Sequence, residues 1–423
     1  MFEGNRIQPE TLRAPSGRDE QGMERPDAGV GGGGSPGMAI AINGKFLSAP
    51  VTGVHRVAIE LANALSRLKR AGHEAVAGLD LDVVMPWDGI DHADEVDLPK
   101  RIMGPLRHIP WEQFTLPLKE RSALLLNLCN IGPAFRSRSV TMIHDAQVYL
   151  TPGSYSLPFR AWYKLVQPVI VRRHRHILTV SDYSRQQIRR FCRVPEDRIS
   201  VVHNGVDHVH RHASNPAILD RLGLHGARFV IGLATTQLHK NVATLIDAFR
   251  GPALADLRLV LFGSAGRAAF EATGMAVPDN VVFAGRVTDG ELKALMSAAL
   301  ATGFPSRTEG FGLPPLEAMA LGCPAVVAPC GALPEICGDA AIYADPDRPE
   351  EWRAAFRSLA DDAGRHAALS IDGTIRASHF TWDRAALELC RIMRTVLAAD
   401  APGQRPPWVR ETAHGPAGEA SDL

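Results

Sequence analysis

The sequence predicts an α/β protein built from two doubly wound domains with mostly parallel sheets. From Met38 onward, short apolar runs alternate with amphipathic stretches, a pattern typical of strands that alternate with helices. This alternation loosens over residues 208–227 and then resumes, and 423 residues suffice for two hydrophobic cores. We therefore expect Rossmann-like domains at 38–207 and 228–378, joined by a linker at 208–227. Ligands should bind in the cleft that the carboxyl ends of the strands face.

The first half carries five predicted strands. These are Met38–Ile42, Ala123–Asn127, Val140–Ile143, Ile177–Val180 and Ser200–His203. The segment Val54–Arg70 has apolar residues at helical spacing, and Gly72 follows it where a glycine commonly ends a helix. Further helices are expected over Phe159–Arg173 and Ser184–Phe191.

The second half repeats the pattern with four predicted strands and four helices. The strands are Phe229–Leu233, Leu257–Phe262, Val281–Ala284 and Ala325–Val327, and the helices are Val242–Phe249, Asp289–Ala299, Pro315–Leu321 and Glu350–Leu359. A last amphipathic stretch, Trp382–Ala398, predicts a helix within 379–400 that packs back on the first domain. Residues 1–37 and 401–423 offer no apolar face to bury, and we expect them to be disordered. A functional basic arm is the alternative for the first segment.

The composition excludes several classes of protein. Lys and Arg number 46, as do Asp and Glu, and this balance argues against a dedicated nucleic-acid binder. The six cysteines form no CxxC pair, so neither a zinc site nor a disulfide framework is indicated, and a reducing cytoplasm fits best. The longest uncharged stretch, Ala318–Leu333, is broken by glycines and prolines and does not predict a membrane span.

The strongest chemical motif runs from Arg307 to Glu317 and reads RTEGFGLPPLE. A glycine-rich turn ends where a helix should begin, so the backbone amides of Gly312 and Leu313 should point at an anion. Glu309 precedes the turn and Glu317 follows it, and carboxylates accept hydrogen bonds from sugar hydroxyls. The motif suits a ligand with a pyrophosphate and hydroxyl-rich rings. A capped helix with two solvated glutamates is the alternative.

Together with other short motifs in the same order, this sequence resembles the family-4 retaining glycosyltransferases, which have the GT-B fold of two Rossmann-like domains facing a central cleft. The set covers about residues 38–395, and its members are weak singly and specific together. They are Asn43-Gly44, Val51-Thr52-Gly53-Val54, Ile143-His144-Asp145, Ser181-Asp182-Tyr183-Ser184, Val202-His203-Asn204-Gly205-Val206-Asp207, Leu238-His239-Lys240-Asn241, Phe283-Ala284-Gly285-Arg286-Val287 and Glu309 to Glu317 with Ala318 to Val327.

The resemblance implies a nucleotide-diphosphate-sugar donor and catalytic roles for three residues. Lys240 would neutralise the diphosphate, Glu309 would bind the hydroxyls of the transferred sugar, and His144 would reach that sugar from the opposite domain. The alternatives are a solvated lysine and a packed histidine at a strand end. Glu317 would bind the ribose, and Gly53 would let its loop approach the donor or acceptor closely.

The resemblance also assigns backbone contacts. The amides of Phe311, Gly312 and Leu313 would hold the distal phosphate or the sugar, and the chain at Arg286 and Val287 would wrap the base.

Two positions depart from the family pattern. His239 stands where many members have an arginine before the lysine, and Ala234-Thr235-Thr236 stands where others have a second arginine. We expect a hydroxyl of Thr235 or Thr236 to replace the missing cationic contact. Members with such a threonine loop often act in bacterial polysaccharide assembly.

No metal or other cofactor is expected. Asp80-Leu81-Asp82 and Asp345-Pro346-Asp347 match the Asp-x-Asp of metal-dependent transferases, but two matches among 46 acidic residues are unremarkable. Lys240 and the helix-end amides should instead stabilise the leaving group. The family implies retention of anomeric configuration.

The sequence thus predicts transfer of a hexose or deoxyhexose to a glycan or a lipid-linked glycan, with no nucleic-acid partner. Segment 160–198 holds ten Lys or Arg against three Asp or Glu, with His174 and His176 added. That surplus predicts a peripheral contact with an anionic lipid surface at the inner face of the membrane or with a lipid-diphosphate acceptor; solvated helix faces are the alternative. A hydrolase or epimerase of the nucleotide sugar and a non-catalytic donor-binding scaffold are the rival functions.

Overall fold

A computed structural model describes residues 38–49 and 51–399, and the two segments expected to be disordered lie outside these ranges. The first sheet has seven strands, all parallel, in the order β3-β2-β1-β4-β5-β6-β7. Its strands are β1 (Met38–Asn43), β2 (Leu79–Met85), β3 (Lys100–Ile102), β4 (Leu124–Asn127), β5 (Ser139–Met142), β6 (His176–Thr179) and β7 (Ile199–Val201).

The second sheet has six strands, also parallel, in the order β10-β9-β8-β11-β12-β13. They are β8 (Arg228–Ala234), β9 (Leu257–Gly263), β10 (Val281–Gly285), β11 (Ala301–Phe304), β12 (Ala325–Val327) and β13 (Ala341–Tyr343). In each sheet the order reverses at the first strand, which creates the crevice where ligands of doubly wound sheets bind. The predicted fold class is therefore confirmed, while the exact domain boundaries stay a prediction.

Three helices that follow strands begin at side-chain caps. Thr52 accepts a hydrogen bond from the N–H of His55, and Ser181 accepts one from the N–H of Ser184. Thr288 and Glu291 form a reciprocal capping box. The main helices are Gly53–Arg70, Leu157–Arg173, Asp182–Cys192, Val242–Ala248, Asp289–Ala298, Leu313–Ala320, Pro349–Asp361, Ala363–Ser378 and Trp382–Ala398.

The last helix, Trp382–Ala398, packs against Gly53–Arg70 beside the first sheet. Arg67 donates to the carboxylate of Asp383, and Arg394 donates to the carbonyl of Ala75 at 2.9 Å. Gly205 permits the closest approach, because a Cβ there would lie 2.2 Å from the nitrogen of Trp382. The chain therefore returns from the second sheet to the first.

Four strands are absent from the sequence prediction, namely β2, β3, β11 and β13. β2 alternates Leu with Asp and lies near the sheet edge, while β3 and β13 have only three residues each. β11 contains Gly303, a residue depleted in strands, which fits here because a Cβ would lie 2.9 Å from a methyl group of Leu245. The helix Ala363–Ser378 is also absent from the prediction, since it contains two glycines and little apolar periodicity.

Within the described residues, no helix is long and apolar enough to cross a membrane.

Candidate active site

Lys240 and Glu309 form an ion pair at the carboxyl edge of the second sheet. Lys240 follows β8 and Glu309 follows β11, and these strands are neighbours, so their carboxyl ends meet. The Nζ of Lys240 lies 2.7 Å from Oε1 and 3.0 Å from Oε2 of Glu309. Glu309 is only 6% exposed, so the ion pair is largely shielded from solvent. The structure thus brings together two residues that the sequence analysis placed on one donor.

Glycines shape the turn that carries Glu309. Gly331 has φ +64°, and a Cβ there would lie 2.4 Å from the nitrogen of Glu309. The N–H of Ala332 donates to the carbonyl of Glu309 at 3.1 Å. Gly312 has φ +101° and directly precedes the helix that starts at Leu313. Leu313 is the only one of the first three helical residues with a backbone N–H, since Pro314 and Pro315 have none; this N–H and that of Gly312 can bind an anion.

His144 and Asp145 approach this turn from the first sheet, where they follow β5. A Cβ at Gly310 would lie 2.8 Å from both the carbonyl oxygen of His144 and the Cβ of Asp145. The Nε2 of His144 lies 2.8 Å from the carbonyl oxygen of Leu128. Burial lowers the pKa of His144 to about 4, so the ring is neutral near pH 7. Because a carbonyl only accepts, Nε2 carries the proton, and Nδ1 is left as an acceptor.

Asp145 is a site residue that the sequence analysis did not single out. Burial raises the pKa of its carboxyl and the Glu309 carboxylate adds to this, while the N–H of Gln147 and the Lys240 ammonium oppose it. Asp145 lies against Gly310, the residue that follows Glu309, since a Cβ at Gly310 would lie 2.8 Å from that of Asp145. The only sequence signal was its position next to His144 in the Ile143-His144-Asp145 motif.

The motif Ser181-Asp182-Tyr183-Ser184 contacts the glycine-rich turn after Glu309 from across the cleft. The hydroxyls of Ser181 and Ser184 donate to the carbonyl of Gly310 at 2.6 and 3.1 Å. Gln147 donates to the carbonyl of Thr308 at 3.2 Å. The motif therefore positions the loop between β11 and its helix through hydrogen bonds to the backbone.

Glu317 lies apart from the ion pair, on the helix Leu313–Ala320. Its Oε1 is 3.1 Å from Nε2 of His208, and its side chain is 12% exposed. It lines a cavity of ≈ 90 Å³ together with Asp289 and Leu292, which start the helix after Arg286 and Val287. The predicted ribose contact thus borders a cavity whose lining also includes the start of the helix that follows the predicted base loop.

Arg56 joins this cavity to a larger one. The guanidinium lies 2.8 Å from a carboxylate oxygen of Asp289, across the two halves of the chain. Arg56, His212 and Asp289 also line an open cavity of ≈ 470 Å³ beside the helix Gly53–Arg70.

The remaining predicted residues lie around the same edge. Arg286 is exposed and Val287 is partly buried. The Thr235 hydroxyl accepts the N–H of Gln237 at 3.2 Å. Phe311 is 5% exposed and packs edge-on against Phe380, so its side chain belongs to the core and only its backbone can serve a ligand.

Gly53 is the first residue of its helix, and a Cβ there would meet no atom within 4 Å. No protein contact in the described structure therefore requires a glycine at this position.

His239, the residue in the arginine position, is buried against the other half of the chain. Its Nδ1 lies 2.9 Å from the hydroxyl of Ser154, and the ring is stacked at 6.5 Å on that of Tyr155. Burial, with a contribution from Lys240, lowers the pKa of His239 to about 4. It is neutral near pH 7 and supplies no second cation.

Each Asp-x-Asp has one carboxylate committed to an arginine. Asp82 pairs with Arg101, and Asp347 pairs with Arg307. The Oδ1 of Asp345 accepts the N–H of Asp347 at 2.8 Å. In the described ranges, no group of three His, Cys, Asp or Glu residues is arranged to hold a metal ion. The six cysteines are all free thiols.

The charge expected on segment 160–198 needs one correction. His174 is 0% exposed, and burial lowers its pKa to about 4; His176 is shifted to about 4 for the same reason. Both rings are neutral near pH 7 and add nothing to a basic surface. Sequence counting missed this because neighbouring arginines suggested an exposed face.

The two parallel doubly wound sheets have the arrangement of the GT-B fold. One sheet carries paired Lys and Glu side chains at its carboxyl edge, and the other carries a buried histidine there. Together these features are those of a GT-B glycosyltransferase. Residues 217–374 match the family described as Glycosyl transferases group 1, and residues 51–210 match Glycosyltransferase Family 4. The O-antigen chain mannosyltransferase B of Escherichia coli is 30% identical over 387 residues, which cover 83% of this chain and 98% of that protein. The chain therefore belongs to the group 1 glycosyltransferases, and the resemblance is confirmed.

One further relative is similar in sequence, and two solved structures have the same fold. The O-antigen chain mannosyltransferase RfbU of Salmonella typhimurium is 26% identical over 233 residues, covering 54% of this chain and 62% of that protein. Sucrose-phosphate synthase from Thermosynechococcus elongatus has the same fold, with a TM-score of 0.66 at 20% identity, covering 86% of this chain and 100% of that one. HepE from Anabaena, solved with UDP and glucose, gives a TM-score of 0.65 at 17% identity, covering 85% and 100%.

Proposed function

We propose that this glycosyltransferase moves a hexose or deoxyhexose from a nucleotide-diphosphate sugar to a glycan or lipid-linked glycan in bacterial polysaccharide synthesis. In this proposal the anomeric configuration is retained and no metal takes part. The observation that carries it is the ion pair of Lys240 and Glu309, with distances of 2.7 and 3.0 Å, at the crevice of the second sheet.

The ion pair explains how the donor would be held. A diphosphate bears more negative charge than one carboxylate and would draw the ammonium of Lys240 toward it, which frees Glu309 to accept hydrogen bonds from sugar hydroxyls. The N–H groups of Gly312 and Leu313, at the start of the helix Leu313–Ala320, would add to the stabilisation of the departing phosphate. One cation and a helix N-terminus thus supply the charge that a metal supplies elsewhere.

The first sheet would contribute the groups that face the transferred sugar. The neutral His144 has Nδ1 as an acceptor, which can take a hydrogen bond from a hydroxyl of the sugar. For retention, the acceptor hydroxyl would attack from the face that the diphosphate leaves. The new glycosidic bond forms as the bond to phosphate breaks, and the hydroxyl proton passes to the departing phosphate oxygen.

The names of the relatives support the acceptor class. Both O-antigen chain mannosyltransferases act, by those names, on the O-antigen chain, a surface polysaccharide. The structure solved with UDP and glucose supports a nucleotide-diphosphate-sugar donor. We infer that the acceptor of this enzyme is a growing glycan.

We also propose that the helix Leu157–Arg173 touches an anionic lipid surface. Leu157 and Leu165 are 73% and 67% exposed, and Lys164, Arg172 and Arg173 are exposed on the same helix. Apolar and cationic side chains together favour an interface with anionic headgroups. Sedimentation with vesicles of phosphatidylglycerol, compared with phosphatidylcholine, tests this contact.

Transfer assays with labelled nucleotide sugars, with and without a lipid-linked acceptor, test the main proposal. We expect product only with acceptor, and nuclear magnetic resonance should give the same anomeric configuration in donor and product. Hydrolysis at an equal rate without acceptor would instead indicate a nucleotide-sugar hydrolase. The variant Lys240→Ala should lose about 10²–10³-fold in turnover, the loss typical of one preorganised group at a developing charge. The exposed Lys69→Ala serves as its control.

A further inference from the structure

Glu317 is held by a buried chain of side chains that begins on the last helix. The indole Nε1 of Trp382 lies 3.1 Å from Nδ1 of His208, and Nε2 of His208 lies 3.1 Å from Oε1 of Glu317. Trp382 is 0% exposed and His208 is 3% exposed. The three residues come from the last helix, the segment between the sheets, and the helix after the glycine-rich turn.

The hydrogen bond between Trp382 and His208 determines which atom donates in the hydrogen bond between His208 and Glu317. An indole N–H can only donate, so Nδ1 of His208 must accept. In a neutral imidazole the proton then lies on Nε2, which donates to the carboxylate of Glu317. Trp382 therefore selects the tautomer of His208 that can hold Glu317.

The backbone around His208 is fixed to the same helix. The N–H of Val206 donates to the carbonyl of Phe380 at 2.9 Å, and the N–H of Trp382 donates to the carboxylate of Asp207 at 2.7 Å. Gly205 allows this approach, because any Cβ would collide with Trp382. His208 consequently has little freedom to follow Glu317 if the carboxylate turns away.

Only one carboxylate oxygen of Glu317, Oε1, accepts the hydrogen bond from His208. Oε2 accepts no hydrogen bond from any residue within 38–49 and 51–399, and the side chain borders the ≈ 90 Å³ cavity. The hydrogen bond from His208 thus holds one oxygen and leaves the other for a ligand.

We propose that His208 is a positioning residue that orients Glu317 toward the ribose of the donor, and that Trp382 sets its tautomer. This rests on the proposed function, in which Glu317 binds the ribose. The last helix then has a second role beyond covering the first sheet, because it supplies the indole N–H at the start of the hydrogen-bonded series Trp382, His208 and Glu317.

Calorimetric titration of the full-length protein with GDP and with UDP, each beside its 2′-deoxy and 3′-deoxy forms, tests the proposal. The wild type should prefer the ribonucleotide over at least one deoxy form. His208→Ala and Trp382→Phe should weaken binding of the ribonucleotide about tenfold, as expected when a charge-assisted hydrogen bond loses its geometry, and should leave the deoxy form unchanged. A role in folding alone would weaken all ligands equally or none.

Trp352→Phe is the matched control, since Trp352 is equally buried and donates its indole N–H to the carbonyl of Asp345 at 2.8 Å, away from Glu317. It should keep the wild-type preference. If His208→Ala does not fold, Trp382→Phe still tests the proposal, because it removes the donor and keeps an aromatic ring, while Trp352→Phe controls for the lost volume.

The possible failures are distinguishable. If neither GDP nor UDP binds the wild type, the proposed donor is wrong, and this inference falls with it. If Glu317→Gln abolishes the ribose preference while His208→Ala and Trp382→Phe both retain it, the role of Glu317 stands and the positioning role of His208 is overturned.

Discussion

Glu309 and Glu317 lie in one short motif but have different surroundings. Glu309 forms an ion pair with Lys240, whereas Glu317 is hydrogen-bonded to His208 beside the ≈ 90 Å³ cavity. Identical side chains eight positions apart therefore have different partners, which fits the different ligand contacts proposed for them. Spacing alone shows that both face the crevice, whereas their partners come from distant segments that spacing does not reveal.

These surroundings predict different effects on binding. Glu317→Ala should weaken the free nucleoside diphosphate and the sugar nucleotide equally, by about 1.5–3 kcal/mol for a lost charge-assisted hydrogen bond. Glu309→Ala should impair the sugar nucleotide and leave the free nucleotide nearly unaffected, because the lost contact is to the sugar. Calorimetry with both ligands measures this, and equal losses for both ligands in both variants would contradict the assignment.

Buried neutral histidines predict a loss of stability in mild acid. Burial lowers the pKa of His144, His174, His176 and His239 from the ordinary 6.5 to about 4. Between pH 6.5 and about 4 the unfolded chain binds protons that the folded chain does not, so stability is full above this window and falls as the pH falls through it.

His174→Gln should flatten this dependence, by about 1.4 kcal/mol per pH unit within the window, because one proton fewer is taken up on unfolding. Urea denaturation at a series of pH values gives the slope. The exposed His225→Gln is the control and should keep the wild-type slope. An unchanged slope in His174→Gln would show that His174 is charged in the folded protein.

At the scale of elements, the helix Asp182–Cys192 depends on a carboxylate from the other half of the chain. Glu335, on the short helix Leu333–Cys337, accepts the N–H groups of Asp182 and Tyr183 at 2.9 and 3.0 Å. His203 lies 3.0 Å from the same carboxylate. Despite burial, these hydrogen bonds hold the pKa of Glu335 below its usual value. The same helix start carries Ser184, whose hydroxyl donates to the carbonyl of Gly310 in the glycine-rich turn.

Glu335→Ala should therefore reduce both stability and activity. Losing an N-terminal cap costs about 1 kcal/mol, and the turn at Gly310 loses part of its support. Chemical denaturation and kcat/KM measure the two effects. Glu388→Ala, in the same surface cavity, is the control and should be neutral. A fall in stability with unchanged kcat/KM would show that the cap does not support the site.

Sequence periodicity recovered the elements whose pattern is local. The helix predicted at Trp382–Ala398 has those bounds, and the central strands β1, β4 and β8 differ by one or two residues at an end. Segment 87–119 was not recovered, because its short turns, including a π-helical turn at Trp111–Thr115, depend on contacts with the sheet. Likewise, the sequence motifs predicted Lys240, Glu309, Glu317 and His144 as candidate site residues. The contacts of Asp145 and His208 arise only from long-range packing, which motifs do not reveal.

At the scale of the whole molecule, basic and acidic residues are equal in number, and many of them pair with each other. The chain has a formal net charge of zero. Of the Asp-x-Asp carboxylates, Asp82 and Asp347 pair with arginines, and Asp345 accepts a backbone N–H. The crevice instead holds a lysine beside a helix N-terminus. The diphosphate would thus meet cationic and dipolar groups supplied by the protein.

This arrangement predicts that sugar transfer needs no divalent metal. The rate should be unchanged in excess chelator, because in the proposed function Lys240 and the amides of Gly312 and Leu313 stabilise the leaving group without an ion. Asp80→Asn and Asp345→Asn should also keep the wild-type rate; an amide at position 345 can still accept the N–H of Asp347, as the carboxylate does at 2.8 Å. A metal-dependent transferase assayed in the same buffer confirms that chelation is complete. Activity lost on chelation and restored by Mg²⁺ or Mn²⁺ would contradict the prediction, and a simultaneous loss in Asp345→Asn would identify the carboxylate that holds the ion.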